Sequence, residues 1–213
     1  MKALVTGFEP FGGDTVNPAL EAIGMLRSSL GPLRIETRPM PTVFGAAIEV
    51  LDAAIEEIRP DIVLAVGQAG GRTELCLERV AINVDDARIP DNAGRQPIDR
   101  PIVPGGPAAY FSTLPIKAAV QALRQAGLPA AVSNTAGTFV CNHIFYGLMH
   151  AAARRGDRLR GGFLHIPFLP QQAARQRGAA SMALEHIVQG IEIILAVSAE
   201  READLVLAEG EIS

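Results

Sequence analysis

Short aliphatic runs alternate with stretches of helical period along this chain, and that alternation restricts it to a sheet covered by helices on both faces. Lys2 to Thr6 reads as a first buried strand. Asn17 and Pro18 open a helix to about Leu30, with Asn as cap and Pro at the first helical position. Leu33 to Arg38 is a second strand. Thr42 is the candidate cap for a helix whose apolar positions Ile48, Leu51, Ile55 and Ile58 recur at helical spacing and which ends before Pro60. Asp61 to Val66 is a central strand. Leu75 to Val84 is extended, Pro115 to Ala126 helical, Ala130 to Asn134 a strand, Asn142 to Arg155 a helix, Gly161 to His165 a strand, and Ala179 to Ala208 a last helical region. The expected fold class is therefore α/β: a single-domain three-layer α/β/α sandwich over residues 1–213, with a twisted, mostly parallel central sheet.

The interruptions are as informative as the elements. Asp85 to Gly106 is rich in Asp, Pro, Gly and Asn without a period, and an irregular segment of that length in a compact domain is usually functional. A formal net charge of −4 with scattered Lys and Arg gives no basic stripe, which argues against nucleic acid and against an anionic membrane as partners. No apolar run approaches the roughly 20 residues that span a bilayer. The two cysteines, and a start of Met-Lys-Ala-Leu-Val-Thr-Gly without a signal-peptide pattern, point to a reducing cytoplasm.

Chemistry concentrates at few positions. Cys141 stands between a strand and the start of a helix, where the helix dipole and unpaired N–H groups favour a thiolate and offer a seat for an oxyanion. The opposing reading is an inert buried thiol, since free cysteine is among the most buried residue types. A nucleophilic thiol needs a base, and the candidates are His143, His150, His165 and His186. His165 is favoured because it ends a predicted strand, where a sheet presents side chains to a crevice. Glu78, embedded in apolar strand sequence, is the carboxylate best suited to orient that imidazole, although an ion pair with a neighbouring arginine such as Arg79 explains it equally well.

The segments Gly7-Phe8-Glu9-Pro10-Phe11-Gly12-Gly13, Asn17-Pro18, Gly67-Gln68-Ala69-Gly70-Gly71-Arg72, Glu78-Arg79-Val80-Ala81-Ile82-Asn83 and Asp86-Ala87-Arg88-Ile89-Pro90-Asp91-Asn92 resemble, in this order, the pyroglutamyl peptidase I family. Ser133 to Asn142 and His165-Ile166-Pro167 extend the resemblance, which covers about Val5 to Pro170. It implies a cysteine peptidase that removes N-terminal pyroglutamyl residues from peptides through a thioester, with Cys141, His165 and Glu78 as the triad. It further implies that Arg88 helps to stabilise the oxyanion and that Phe8, Phe11, Asn17, Gln68, Ile89, Phe139 and Val140 bind substrate. No metal or organic cofactor is required, and the family suggests a homo-oligomer, often a homotetramer. Cys76 reads as a packed side chain.

Other chemistries fit less well. A dinucleotide-binding oxidoreductase would need the Gly-x-Gly-x-x-Gly spacing that the first glycine-rich loop lacks. A metallohydrolase built on Cys141, His143 and His165 has no Cys-x-x-Cys or His-Glu-x-x-His motif to support it. A binding module with the same pocket would take up pyroglutamyl peptides without turnover.

Overall fold

Six consecutive residues of the first strand are buried because helices cover both faces of the sheet, so no polar alternation interrupts it. The structure, a computed structural model, describes residues 1–155 and 159–210; residues 211–213, to which the expected domain extends, lie outside the described set. The elements are β1 (Lys2–Phe8), α1 (Pro18–Met25), β2 (Ser29–Leu30), β3 (Leu33–Met40), α2 (Ala46–Ile58), β4 (Ile62–Gln68), β5 (Leu75–Glu78), β6 (Val80–Ile82), β7 (Ala109–Phe111), α3 (Ile116–Gln125), β8 (Ala130–Ser133), α4 (Val140–Arg155), β9 (Arg160–Ile166), α5 (Pro170–Ala173) and α6 (Leu184–Glu200). The main sheet runs β2-β3-β1-β4-β9-β5-β8, and a separate β6-β7 pair stands beside it. Within the main sheet parallel pairing joins β3, β1, β4 and β9, and β5 to β8, while β2 against β3 and β5 against β9 are antiparallel, as is the separate β6-β7 pair.

Apolar side chains fill two layers. On one face α1, α3 and α6 pack Ala19, Ile23, Val120, Leu123, Ile187 and Ile191 against Val5, Leu64, Leu77 and Leu164. On the other, α2 and α4 pack Leu51, Ile55, Ile144, Phe145 and Leu148 against Leu4, Val63, Ala65 and Phe163. The expected three-layer α/β/α arrangement with a mostly parallel sheet is present.

Boundaries differ from the sequence expectation where long-range contacts intervene. Helix α1 stops at Met25, and Ser29–Leu30 pairs with β3 as β2, so Leu30 is strand and not the end of a helix. Thr42 does not cap α2: its hydroxyl donates to the Glu9 carbonyl at 2.9 Å, and Gly45, at φ 79, is the residue before the helix. A side chain at that φ would be strained, which is why glycine serves there. Arg79 breaks the expected 75–84 strand into β5 and β6. Helix α4 begins at Val140, two residues before Asn142. The last helix is confined to Leu184–Glu200. The segment after it turns back so that the Asp204 carboxylate accepts the N–H groups of Lys117 and Ala118, capping α3 from 86 residues away.

Candidate active site

The central strands bring the candidate residues together by register. Gly67 on β4 pairs with His165 on β9, and Cys76 on β5 pairs with the same His165 from the other side. Helix α4 then lays its first turn over β4. The Cys141 sulfur sits so close to the strand that a β-carbon added at Gly67 would lie 2.8 Å from it, and equally 2.8 Å from the Phe163 ring. Glycine at 67 is what lets the thiol reach its place beside β9.

Glu78, fully buried, accepts a hydrogen bond at 2.7 Å from His165 Nδ1. A carboxylate only accepts, so Nδ1 is the donor in this contact and Nε2 is the ring nitrogen it leaves for other partners. The His165 ring is further held edge-on to Phe163, with centroids 4.8 Å apart. Arg72, not Arg79, is the arginine at this carboxylate: its Nη2 lies 3.1 Å from Glu78 Oε1 and donates to the Thr135 carbonyl at 3.0 Å. Arg79 instead binds Asn134 at 2.8 Å and the Glu209 carbonyl at 2.5 Å. The ion pair and the histidine contact thus coexist on one oxygen.

The thiol differs from the expectation of a helix-activated thiolate. Cys141 keeps part of its surface open to a cleft, yet the protein packed around it pushes the thiol up to about 12, with burial as the main cause and the Glu78 charge adding to it, while Arg72 acts in the opposite sense. Burial disfavours the thiolate, so the proton has to leave as the sulfur reacts. The other effect of the helix start is retained. The first bond of the α4 ladder runs from His143 N to Phe139 O, at 3.1 Å, which leaves the N–H groups of Val140, Cys141 and Asn142 ahead of it.

A narrow apolar cleft opens at Cys141 and is lined by Phe8, Phe11, Asn17, Thr42, Gln68, Phe139, Val140 and the cysteine itself. Phe11 and Phe139 form a tilted pair at 6.0 Å, and Phe44 supports Phe139 edge-on at 5.4 Å from behind. Asn17 is engaged with the fold: its Oδ1 caps α1 at Ala19 N, 3.0 Å, and its Nδ2 donates to Glu9 O, 3.1 Å. Gln68 Oε1 accepts from Gln172 Nε2 at 3.0 Å, a bond that does not use the Gln68 amide N–H groups. Thr42 and Gln172 belong to this cleft and its support but carry no sequence signal, because Thr42 looked like a helix cap and Gln172 follows the last recognisable motif.

Two expected residues stand apart. Arg88 is exposed on the long loop, and among the described residues no hydrogen bond or ion pair holds its guanidinium; neither Arg88 nor half-buried Ile89 lines the cleft. A larger and more polar cleft, lined by Gly71 to Glu74, Cys76 and Ser133 to Thr135, reaches Glu78 through Arg72 and lacks Cys141. The smaller one is the better seat for an uncharged ring, because it has aromatic walls and the nucleophile candidate at its edge.

The remaining histidines and Cys76 are accounted for otherwise. His143 Nδ1 meets Asp85 at 2.9 Å and its Nε2 accepts from Gly45 N at 2.8 Å, so neither nitrogen is available as a metal ligand. His150 Nδ1 lies 2.9 Å from the Tyr110 hydroxyl. Among the described residues no group of three or more His, Cys, Asp or Glu side chains gathers as a metal cage requires. Cys76 is buried, and burial pushes its thiol up. No helix of the described residues is long and apolar enough to cross a membrane.

Comparison with known proteins places this geometry among relatives. The family model described as pyroglutamyl peptidase matches residues 1–201. Pyrrolidone-carboxylate peptidase 1 of Ralstonia nicotianae is 60% identical over 210 residues, covering 98% of each chain. Pyrrolidone-carboxylate peptidase of Brevibacillus brevis is 57% identical, covering 99% of this chain and 98% of its own. The crystal structure of pyroglutamyl peptidase I from Bacillus amyloliquefaciens superposes with a TM-score of 0.93 at 50% identity, over 96% of this chain and 99% of that one. A mutant pyrrolidone carboxyl peptidase from Pyrococcus furiosus gives a TM-score of 0.92 at 43% identity, over 95% of this chain and all of that one.

Proposed function

The chain belongs to the pyroglutamyl peptidase family, and on that premise we propose that it removes N-terminal pyroglutamyl residues from peptides with Cys141 as nucleophile, His165 as base and acid, and Glu78 as the group that orients the histidine. It is a cysteine hydrolase. The observation that carries the residue assignment is the 2.7 Å contact between Glu78 and His165 Nδ1, made on the strand position paired with Gly67, over which the Cys141 sulfur lies.

The chemistry follows from the disfavoured thiolate. Because the group is pushed up to about 12, attack begins as proton transfer from Sγ to His165 Nε2 while the sulfur bonds to the carbonyl that joins pyroglutamate to the next residue. The oxyanion is received by the N–H groups at the start of α4, with Arg88 as an added charge from the loop. His165 then returns its proton to the leaving amine, the C–N bond breaks, and a thioester remains. Water, deprotonated by the same Nε2, hydrolyses the thioester and frees pyroglutamate and the thiol. Glu78 stabilises the imidazolium at each stage.

The flat, uncharged lactam suits a cleft walled by Phe8, Phe11 and Phe139, with the Gln68 amide available to its carbonyl. Val140 and Asn17 complete the wall near the nucleophile. Ile89, outside the lining, contributes on the loop side only. Residues 1–213 act as a single catalytic domain, and the protein works in the cytoplasm as a homo-oligomer, with a tetramer as the expected state. Exposed Phe111 and Ile98, at 68% and 65%, offer apolar surface for such contacts, and light scattering of the purified protein tests the assembly.

The deciding experiment is release of a fluorogenic amine from its pyroglutamyl, prolyl and glutamyl derivatives. Turnover of the pyroglutamyl amide alone is the expected result. Equal turnover of all three would remove the lactam pocket from the reading.

A further inference from the structure

A buried carboxylate is stable only when its charge is compensated, and one hydrogen bond from a neutral imidazole is slight compensation for Glu78. Its Oε2 is buried without a hydrogen-bond partner among the described residues, so the compensation converges on Oε1. Two groups meet there: His165 Nδ1 at 2.7 Å and Arg72 Nη2 at 3.1 Å. Arg72 is in turn fixed at the turn after β4, where its N–H binds Ala69 O at 3.2 Å and its Nη2 binds Thr135 O at 3.0 Å. Its guanidinium also reaches the Cys76 thiol, where it offsets in part the rise caused by burial, with Glu74 and Glu78 as the nearby negative charges. This cation is the one that acts on Cys141 against the charge of Glu78.

Resting on the assignment of Cys141, His165 and Glu78 above, we propose that Arg72 is a positioning residue for the reaction: by sharing Glu78 Oε1 with His165 it holds that carboxylate in place and aimed at Nδ1. Arg72 stands at the carboxylate and lines the polar cleft, not the aromatic one, so it leaves the apolar pocket uncharged. The guanidinium is suited to this because it can bind a carboxylate oxygen and a backbone carbonyl at once from a fixed plane.

The test compares Arg72→Gln and Arg72→Lys with the wild type in three measurements: kcat and KM on the pyroglutamyl amide of a fluorogenic amine, the rate at which iodoacetamide alkylates Cys141 at pH 8, and thermal unfolding. Without the cation at Glu78 Oε1 the His165 base is no longer held in place, so Arg72→Gln should slow alkylation of Cys141 about tenfold and lower kcat by at least about tenfold, with KM within about threefold. Arg72→Lys should recover most of the alkylation rate. A folded Arg72→Gln with wild-type kcat and alkylation would overturn the proposal. So would Arg72→Lys behaving no better than Arg72→Gln, the outcome expected if the arginine only anchors the turn to Thr135. If Arg72→Gln does not fold, Arg72→Lys decides alone: near wild-type alkylation supports the role and a tenfold loss removes it. The alkylation arm needs no turnover, so failure of the wild type to hydrolyse the amide would count against the peptidase assignment and leave the Arg72 comparison intact.

Discussion

Replacing Gly67 by alanine tests whether the floor beneath the nucleophile is a requirement of the chemistry. The added β-carbon would lie 2.8 Å from Cys141 Sγ and 2.8 Å from Phe163 Cζ, about 1 Å inside ordinary van der Waals separation for each. Neither neighbour yields readily. Phe163 is fully buried, and Cys141 has one side-chain torsion on a helix whose following turn packs Ile144 and Phe145 into the core. Overpacking of this kind costs about 1–3 kcal/mol, which for a domain of this size lowers Tm by about 2–12 °C. The sulfur must move by several tenths of an ångström to about 1 Å from its place over Gly67, and a misplacement of a reacting atom by that much costs about a hundredfold in rate. Gly67→Ala should therefore fold, lose kcat about a hundredfold on the fluorogenic pyroglutamyl amide, and keep KM within a few-fold, because the cleft lining does not include residue 67. Gly24→Ala serves as the control, since a β-carbon there meets nothing within 4 Å and should leave activity unchanged. A folded Gly67→Ala enzyme with kcat within threefold of wild type would refute the packing argument.

Further outcomes follow from the same contacts. Glu78→Gln should retain the fold and lose most of kcat across the pH range, because an amide can no longer accept from Nδ1 with full charge; near-normal kcat would make the carboxylate structural. Alkylation of Cys141 by iodoacetamide should accelerate about tenfold per pH unit from pH 7 to 10 without a plateau, as a thiol pushed up to about 12 requires, and a plateau near neutrality would show a preformed thiolate. Cys141→Ala should abolish turnover, whereas Cys76→Ser should stay active and melt at lower temperature, read by activity and circular dichroism. Arg88→Ala should lower kcat by about tenfold or more with KM little changed if the loop charge assists the oxyanion, and unchanged kinetics would remove Arg88 from the mechanism.

The sequence by itself determined the layers and singled out the candidate residues of the site, and the reason is that both are written in local pattern. Continuous aliphatic runs such as Ile62 to Val66 signal strands covered on both faces, and the helical spacing of Leu51, Ile55 and Ile58 signals the helix that covers them. Glu78, Cys141 and His165, together with the phenylalanines of the cleft, lie in motifs long enough to be recognised one after another. What the sequence could not hold is anything set by pairing across the chain. The antiparallel insertion of β5 between β9 and β8 decides that Glu78 faces His165, and it also decides that Arg72 and not the adjacent Arg79 reaches the carboxylate, since consecutive residues on an extended segment point to opposite sides. Thr42 was legible only as a helix cap because the carbonyl that binds it, Glu9 O, is 33 residues away. The state of the thiol was likewise a tertiary decision. A helix start is visible in sequence and favours the thiolate, but the desolvation that pushes the thiol up comes from the packing around one sulfur atom, which only the fold sets.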